Sequence, residues 1–258
     1  MASSVEAARQ ALGPIGVCLP GSLTVALNAD LQRDAVRRLE RAGYRTIWVN
    51  EVIGKDAFVQ LGMLLPETEQ TVFGTSIANI WARPAQTMHA AAAQLAEAYP
   101  GRLVVGLGVG YPEQAASVGQ EFGRPLATMR DYVRRMGEST WPPAPAVWYP
   151  RIIAANGPKM LALAGEIADG AMPATRAADF TAQARSTLGP DKLLVVGVSL
   201  EPDDPAAVGA RAREHLAAGA DHVEILPPLN GDFRTGVGQL EQLAPALTPR
   251  RVGVDARR

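Results

Sequence analysis

Short apolar runs alternate with amphipathic segments along the whole chain. The runs are rich in β-branched residues, which is typical of parallel strands that are covered on both faces. The segments between them carry apolar residues three and four positions apart, which predicts helices with one buried face. The clearest unit spans residues 71–110, where an apolar run, an alanine-rich helix and a second apolar run ending in glycines predict a β-α-β unit.

Eight strands and the helices between them follow from this pattern. The strands are predicted at 15–19, 45–49, 72–77, 103–107, 151–155, 169–172, 193–200 and 222–226, and the helices include 29–42, 112–121, 126–137, 159–168, 176–188, 205–218 and 237–247. Asp56 is predicted to cap the helix after the second strand. Strict alternation calls for an all-parallel sheet, and eight units in this length match a closed (β/α)8 TIM barrel better than an open doubly wound sheet. We therefore predict one domain over residues 1–258, with 1–13 as an N-terminal lead and 250–258 as a loose tail.

Charge and composition exclude several classes of protein. With 25 basic and 26 acidic residues the net charge is −1, so the chain lacks the basic surface expected of a protein that binds nucleic acid or acidic membranes. Cys18 is the one cysteine, and the three histidines lack metal-ligand spacing, so we expect neither an intrachain disulfide nor a metal. Residues 1–14 lack the pattern of a signal peptide, and no apolar segment is long enough to span a bilayer. We predict a cytoplasmic protein.

The loops after the strands are where the chemistry is expected, because barrel active sites lie at the C-terminal ends of the strands. Most residues there are small, neutral or amide, and acids and histidines are too sparse for a metal hydrolase or a two-carboxylate glycosidase. Residues 106–110 do not complete a dinucleotide-binding fingerprint, because Tyr111 stands where the third glycine is needed. These glycines instead allow a flat ring to approach the backbone.

Two neighbouring loops are candidates for binding a phosphate. Asn156, Gly157 and Pro158 follow the fifth strand and predict a free helix N-terminus, which attracts anions through its backbone N–H groups. The loop after the sixth strand adds the hydroxyl of Thr175 and the positive charge of Arg176. The same residues are equally compatible with an ordinary helix start beside a solvated arginine, so the spacing leaves both interpretations open.

Four segments resemble the luciferase-like monooxygenase family, in particular its branch that uses the deazaflavin coenzyme F420. They are residues 41–51, 74–110, 151–173 and 216–228, and their order and spacing match the family. The resemblance implies a (β/α)8 barrel that binds F420 or FMN at its C-terminal mouth, and it implies a homodimer. Family members are usually longer, so we expect a compact barrel with shortened insertion segments, notably near residues 201–211.

The resemblance also assigns roles to residues around the cofactor ring. Ser76 and Ile77 match a position where deazaflavin-using members have a non-prolyl cis peptide bond behind the ring. Asn79 would hydrogen-bond the ring edge, and Gly110 and Tyr111 would line the other side of the ring.

The resemblance assigns the residues that bind the cofactor phosphate in the same way. Asn156, Gly157 and Pro158 match the phosphate-binding turn, and Thr175 and Arg176 fall where the family has further phosphate ligands.

Asn50 and Glu51 occupy the position over the reactive carbon, and which of the two faces the ring is open. If the reaction must also move a proton, Glu51 is the carboxylate that we expect to move it.

Three functions are compatible with this sequence. The favoured one is an F420-dependent oxidoreductase that transfers hydride between the deazaflavin and a small organic substrate. The second is an FMN-dependent monooxygenase that receives reduced FMN from a partner reductase. The third is a protein that binds a flavin or deazaflavin without turnover.

Overall fold

The computed structural model describes residues 4–21, 26–200, 205–229 and 231–248. Eight strands form a closed barrel in which every pair of neighbours is parallel and β8 returns to β1. The strands are β1 (Ile15–Cys18), β2 (Thr46–Val49), β3 (Val72–Asn79), β4 (Leu103–Gly108), β5 (Arg151–Ala154), β6 (Gly170–Met172), β7 (Leu193–Ser199) and β8 (His222–Leu226). The predicted (β/α)8 TIM barrel is therefore confirmed.

Helices cover the outside of the barrel. They are α1 (Ser4–Leu12), α2 (Ala29–Arg41), α3 (Ala57–Leu64), α4 (Ala85–Ala98), α5 (Pro112–Ser117), α6 (Pro125–Met136), α7 (Pro158–Ile167), α8 (Ala178–Leu188), α9 (Pro205–Ala217) and α10 (Phe233–Leu247). Asp56 caps α3 as predicted, because its carboxylate accepts from the N–H groups of Phe58 and Val59. A 3₁₀ turn, Leu65–Glu67, follows α3.

The structure differs from the sequence-based elements at two informative places. β3 continues to Asn79, beyond the predicted end at Ile77, and its register against β4 shifts between Thr75 and Ala78. The N-terminal lead contains the helix α1, whose Leu12 is buried in the barrel interior. The predicted tail 250–258 and residues 201–204 lie outside the described residues, and the single domain over the whole chain stays a prediction.

The alternation of side chains along each strand divides the core in two. Outward-facing residues pack against the helices in the larger cluster of buried side chains. Inward-facing residues form a second cluster that fills the barrel, contributed by Leu12, Cys18, Trp48, Val72, Val104, Ile152, Met172, Leu193 and Val195. The barrel interior is thus a packed core below the mouth.

One end of the barrel interior is closed by a tryptophan and a histidine. The Trp48 indole N–H donates to His222 Nε2 at 3.1 Å, and His222 Nδ1 lies 2.6 Å from the carbonyl oxygen of Gly13. Burial lowers the pKa of His222 to about 4, so this histidine is neutral at pH 7. Gly74 leaves room for the tryptophan, since a Cβ there would lie 2.2 Å from its ring. We call this layer, with α1 beneath it, the closed end.

Candidate functional site

The C-terminal ends of the strands form the opposite end of the barrel, which we call the open end. Here the strands place Asn50, Ser76, Asn79, Gly108 and Glu224 at or just below the mouth. Asn50, Ser76, Gly108 and Glu224 continue the inward-facing series of their strands, whereas Asn79 lies beyond the register shift in β3, where it pairs with Gly108. The open end therefore combines polar side chains with glycine.

Asn50 and Glu51 point to opposite sides of the barrel wall. Asn50 continues the inward series of Thr46 and Trp48, and its Oδ1 accepts from Lys55 Nζ at 2.8 Å. Gly21 packs against the Asn50 amide, because a Cβ on that glycine would lie 2.9 Å from Asn50 Nδ2. Of the pair, Asn50 is on the inner side of the wall, and which of the two faces a bound ring stays a prediction.

Glu51 is buried in the wall and uses all its acceptor positions. Its Oε1 accepts from the Ala57 N–H at 2.7 Å and from Arg83, and its Oε2 accepts from the Asn79 N–H at 2.8 Å and from Arg83 Nη1 at 3.1 Å. The carboxylate thus connects the end of β3 to the start of α3. In this geometry the four acceptor positions of Glu51 are taken up by protein donors, and its expected role in moving a proton stays a prediction.

Arg83 is a residue of this wall that the sequence did not single out. Its guanidinium forms ion pairs with Glu51 and, at 2.9 Å, with Asp56, and it lies 5.0 Å from the ring centre of Phe58. The side chain is almost fully buried. A buried charge of this kind is tolerated only when it is paired, so Arg83 and Glu51 form one structural unit.

The end of β3 carries the Ser76–Ile77 peptide bond, which is cis, as the family resemblance implied. The Ser76 hydroxyl donates to Glu224 Oε2 at 2.8 Å. Ile77 packs against the end of β4, where a Cβ on Gly108 would lie 2.5 Å from its side chain. Only glycine fits at position 108 beside this isoleucine.

Glu224 is the second residue that the sequence analysis missed. It lies on β8 inside the barrel with 1% of its surface exposed, and its Oε1 has no hydrogen-bond partner among the described residues. Burial raises its pKa to about 8, against the hydrogen bond from Ser76 and the nearby Cys18 thiol, which lower it. The signal was present in the sequence, as a single acid in the apolar run 222–226.

Asn79 is fully buried where β3 ends. Its Oδ1 accepts from the Trp81 N–H at 3.0 Å, whereas its Nδ2 has no partner among the described residues. A Cβ on Gly110 would lie 3.1 Å from that Nδ2. The amide hydrogens of Asn79 thus lie against the backbone of the loop after β4, with no acceptor assigned to them.

Gly110 and Tyr111 begin the loop between β4 and α5. Gly110 has a φ of +55°, and a Cβ there would lie 2.0 Å from Gln114 Oε1, so the turn requires glycine. The Tyr111 N–H donates to the same Gln114 oxygen at 3.0 Å, and 71% of the Tyr111 side chain is exposed. The tyrosine is therefore at the rim of the mouth and available for contact.

The loops after β5 and β6 are joined by a hydrogen bond. Asn156 Oδ1 accepts from the Ala174 N–H at 2.8 Å. Gly157 and Pro158 begin α7, and the space around Gly157 is open, since a Cβ there would meet no atom within 4 Å. The N-terminus of α7 thus faces open space beside the loop that carries residue 175.

Thr175 and Arg176 are both exposed beside this helix start. Thr175 has a φ of 55° and its hydroxyl donates to the Ala174 carbonyl at 2.7 Å. The Arg176 guanidinium lies 4.8 Å from the ring centre of Phe180. These residues line an open groove of about 570 Å³ along the start of α8, together with Ala177, Asp179, Phe180 and Gln183.

The residues at the open end fit a flat cofactor with a phosphate tail. Asn79 Nδ2 is a buried donor without an acceptor among the described residues, and the partly exposed Gly110 of the loop after β4 lies beside it. The start of α7 and Arg176 offer N–H groups and a positive charge to an anion. Within the described ranges, no group of three His, Cys, Asp or Glu residues is arranged to hold a metal ion, and no helix is long and apolar enough to cross a membrane.

One curated relative has a related sequence over part of its length. A protein of Mycobacterium tuberculosis, assigned as a coenzyme F420-dependent oxidoreductase, is 31% identical over 172 residues, which are 54% of this chain and 50% of that protein. The chain spans about half the length of the curated relatives it matches.

Two solved structures share the fold. An F420-dependent secondary alcohol dehydrogenase in complex with an F420–acetone adduct has a TM-score of 0.73 at 15% identity, over 92% of this chain and 99% of that chain. The oxygenating constituent of the 3,6-diketocamphane monooxygenase of Pseudomonas putida, in complex with FMN, has a TM-score of 0.69 at 11% identity, over 93% of this chain and 98% of that chain. At these identities the likeness concerns the fold.

A family model identifies the family of the chain, which the two structures do not. The model for luciferase-like monooxygenases matches residues 15–188, which include β1 to β6 and the loops that form most of the open end. The match covers more than half of the sequence and agrees with the barrel and its polar mouth. This chain belongs to the luciferase-like monooxygenase family.

Proposed function

We propose that this chain is an F420-dependent oxidoreductase that transfers hydride between the deazaflavin and a small organic substrate. Family membership and the similarity to the F420-dependent relative support this function. The observation that carries the proposal is Asn79, whose buried Nδ2 lacks an acceptor at the end of β3. A ring with a carbonyl oxygen at its edge would supply that acceptor, and without one the buried donor is costly.

The ring would lie between the ends of β3 and β4. Asn79 would bind its edge, Ser76 and Ile77 would support one face, and Gly110 and Tyr111 would border the other side. A bound deazaflavin would supply the hydride-transfer chemistry, for which the protein provides binding and orientation. The exposed Tyr111 would then cover the ring from the rim of the mouth.

The phosphate of the cofactor would bind between the loops after β5 and β6. The N–H groups at Gly157 and beyond the Pro158 ring would point at the anion, and Asn156 would keep the two loops together through its bond to Ala174. Arg176 would add a positive charge, and the Thr175 hydroxyl, once turned away from the Ala174 carbonyl, would add a further donor.

For the reacting atoms we propose Asn50 as the residue that faces the substrate. Its amide projects into the mouth, where Lys55 and Gly21 fix its orientation. Glu51 would act one layer behind, since its four hydrogen bonds hold the end of β3 and the start of α3 in place. A proton taken up or released at the substrate would then not pass through Glu51.

The alternative cofactor is FMN, which the fold neighbour from Pseudomonas putida contains. In that case the protein would be a monooxygenase supplied with reduced FMN by a partner reductase. We also propose a homodimer, from the family resemblance, and a cytoplasmic location, from the single cysteine. A third possibility is that the chain binds its cofactor without turnover.

Titration of the purified full chain with oxidised F420 and with FMN tests the proposal. We expect saturable quenching of F420 fluorescence and tighter binding of F420 than of FMN. Tight binding of FMN without binding of F420, combined with oxygen consumption on addition of reduced FMN, would favour the monooxygenase. Tight F420 binding without any F420 reduction by a panel of small alcohols, or reoxidation of F420H2 by the matching carbonyls, would favour the protein without turnover.

A further inference from the structure

The carboxyl group of Glu224 is an unusual feature of the barrel interior. It is 1% exposed, and its Oε2 is bonded to the Ser76 hydroxyl at 2.8 Å. Its second oxygen, Oε1, has no partner among the described residues. An ionised carboxylate buried with one bare oxygen is strongly disfavoured, whereas the neutral acid loses less when one oxygen lacks a partner.

Ser76 connects this carboxyl group to the mouth. It is half-buried near the end of β3, and its hydroxyl has one hydrogen and two lone pairs. When Glu224 is ionised, the serine must donate its hydrogen inward and only a lone pair remains for a ligand. When Glu224 is protonated, the acid can donate to Ser76 Oγ, and the serine hydrogen becomes free to point toward the mouth.

We propose that Glu224 is a positioning residue whose protonation decides whether Ser76 offers a donor or an acceptor to a ring bound at the open end. The inference rests on the proposed function, because it assumes a ring at that place. The ligand chemistry it names is a ring carbonyl or other lone-pair atom facing Ser76, which deazaflavin and flavin share. In the neutral state of Glu224, Ser76 donates to that atom.

The surroundings of Glu224 favour the neutral state at pH 7. Burial raises its pKa to about 8, while the hydrogen bond from Ser76 and the nearby Cys18 thiol act in the opposite direction. Burial also raises the pKa of the Cys18 thiol on β1, so Cys18 stays a neutral thiol. Lys55 interacts electrostatically with Cys18, and His222, two residues earlier on β8, is neutral because burial lowers its pKa to about 4.

Infrared spectroscopy of the protein without cofactor tests the protonation directly. At pH 7 most carboxyl groups of a protein are ionised, so the C=O band of a protonated carboxylic acid would stand apart. We expect this band in the wild type at pH 7, its loss as the pH rises past about 8, and its absence in Glu224→Gln. Absence of the band in the wild type at pH 7 would overturn the proposal.

Binding titrations across pH test the role of Ser76. The glutamine of Glu224→Gln does not titrate, and the titration of the ligand itself cancels in the ratio of wild-type Kd to variant Kd. We expect this ratio to rise about five- to tenfold between pH 6.5 and pH 9.5, which is the loss of about one hydrogen bond. In a Ser76→Ala background, the same Glu224→Gln change should leave the ratio flat.

Each other outcome has a definite meaning. A flat ratio in the serine background would overturn the proposal, and so would a rising ratio in the alanine background, which would mean that the carboxylate acts through its charge alone. If F420 does not bind but FMN shows the expected ratio, the proposed function fails and the role of Glu224 stands. If neither ligand binds, both fail. Should Glu224→Gln not fold, the pH dependence of the wild type compared with Ser76→Ala replaces it, and parallel curves would overturn the proposal.

Discussion

The two ends of the barrel interior differ in how completely their buried polar groups are hydrogen-bonded. At the closed end, His222 is bonded through both ring nitrogens, to Trp48 and to Gly13, and the Thr46 hydroxyl donates to the Leu12 carbonyl at 2.7 Å. At the open end, Glu224 Oε1 and Asn79 Nδ2 have no partner in the part of the chain that the structure describes.

The unpartnered atoms at the open end are unusual for a folded protein. Native proteins satisfy nearly all buried polar groups, so a pair of exceptions at one end of one barrel needs an explanation. His222 and Glu224 are only two residues apart on β8, so the difference lies in what surrounds them. The hydrogen bonds at the closed end stabilise the fold, and we propose that the unpartnered polar atoms at the open end bind a ligand.

The largest expected effect is the pH dependence of stability at Glu224. Its pKa is about 8 in the folded protein and 4.5 ordinarily, so the wild type loses stability as the pH rises from about 4.5 to about 8. The loss amounts to up to about 5 kcal/mol in the free energy of unfolding. Glu224→Gln does not titrate and should lack this loss, so its stability relative to the wild type should rise between pH 5 and pH 9.

Urea denaturation at the two pH values measures this difference. The control is Glu113→Gln, because Glu113 is exposed on α5 and should behave as the wild type does at both pH values. Equal pH slopes for the wild type and Glu224→Gln would contradict a neutral buried acid at the open end.

Removing the tryptophan at the closed end should cost nearly as much, at any pH between 6 and 8. Trp48→Ala leaves a cavity and takes away the donor to His222 Nε2, so we expect the free energy of unfolding to fall by about 3–5 kcal/mol. Chemical denaturation measures the loss. Trp141→Ala is the matched control, because Trp141 is 96% exposed and its removal should change the stability by less than about 0.5 kcal/mol.

Asn79→Asp should weaken cofactor binding, and because it buries a carboxylate oxygen without a donor it should also lower the free energy of unfolding. Aspartate keeps the oxygen that accepts from the Trp81 N–H but replaces the unpartnered amide donor by a second acceptor. We expect the Kd for F420 to rise about tenfold or more, measured by fluorescence titration. Gln10→Glu introduces a similar charge on α1 at the closed end and should leave the Kd unchanged. An unchanged Kd for F420 in Asn79→Asp would show that the ligand does not bind at this end of β3.

The smallest effect is expected for Arg176→Ala, which tests the phosphate. The arginine is exposed, so we expect the Kd for FMN to rise about fivefold, while riboflavin, which has no phosphate, binds equally well to wild type and variant. Arg135→Ala, on the exposed face of α6, should change neither. Equal weakening of FMN and riboflavin would mean that Arg176 acts on the ring side or on the fold.

The barrel was predictable because its pattern is local. Each strand is a short apolar run, and each helix repeats its buried face at a spacing that can be read without its partners. The orientation of Asn50 and Glu51 was harder to predict, because the side of the barrel wall that each side chain faces depends on where β2 begins. The extension of β3 to Asn79 was missed for a related reason, because the register shift after Thr75 interrupts the simple alternation.

The polar partners at the open end were not predictable from local pattern. Glu224 is hydrogen-bonded to Ser76, which lies 148 positions away in the sequence, and Arg83 is hydrogen-bonded to Glu51, which lies 32 positions away. The closure of the barrel brings Ser76 and Glu224 together, and the pairing of β2 with β3 brings Glu51 and Arg83 together. The expected cis bond at Ser76–Ile77 came from the family resemblance, since nothing in the composition of that run specifies it.

The central claim is that the open end binds a deazaflavin ring, and one measurement tests it most directly. Fluorescence titration of oxidised F420 with the full wild-type chain, repeated with Asn79→Asp, reports binding and its site together. The account predicts saturable binding by the wild type and a Kd that is about tenfold higher in the variant. Binding that is absent in the wild type, or equal in both proteins, would contradict it.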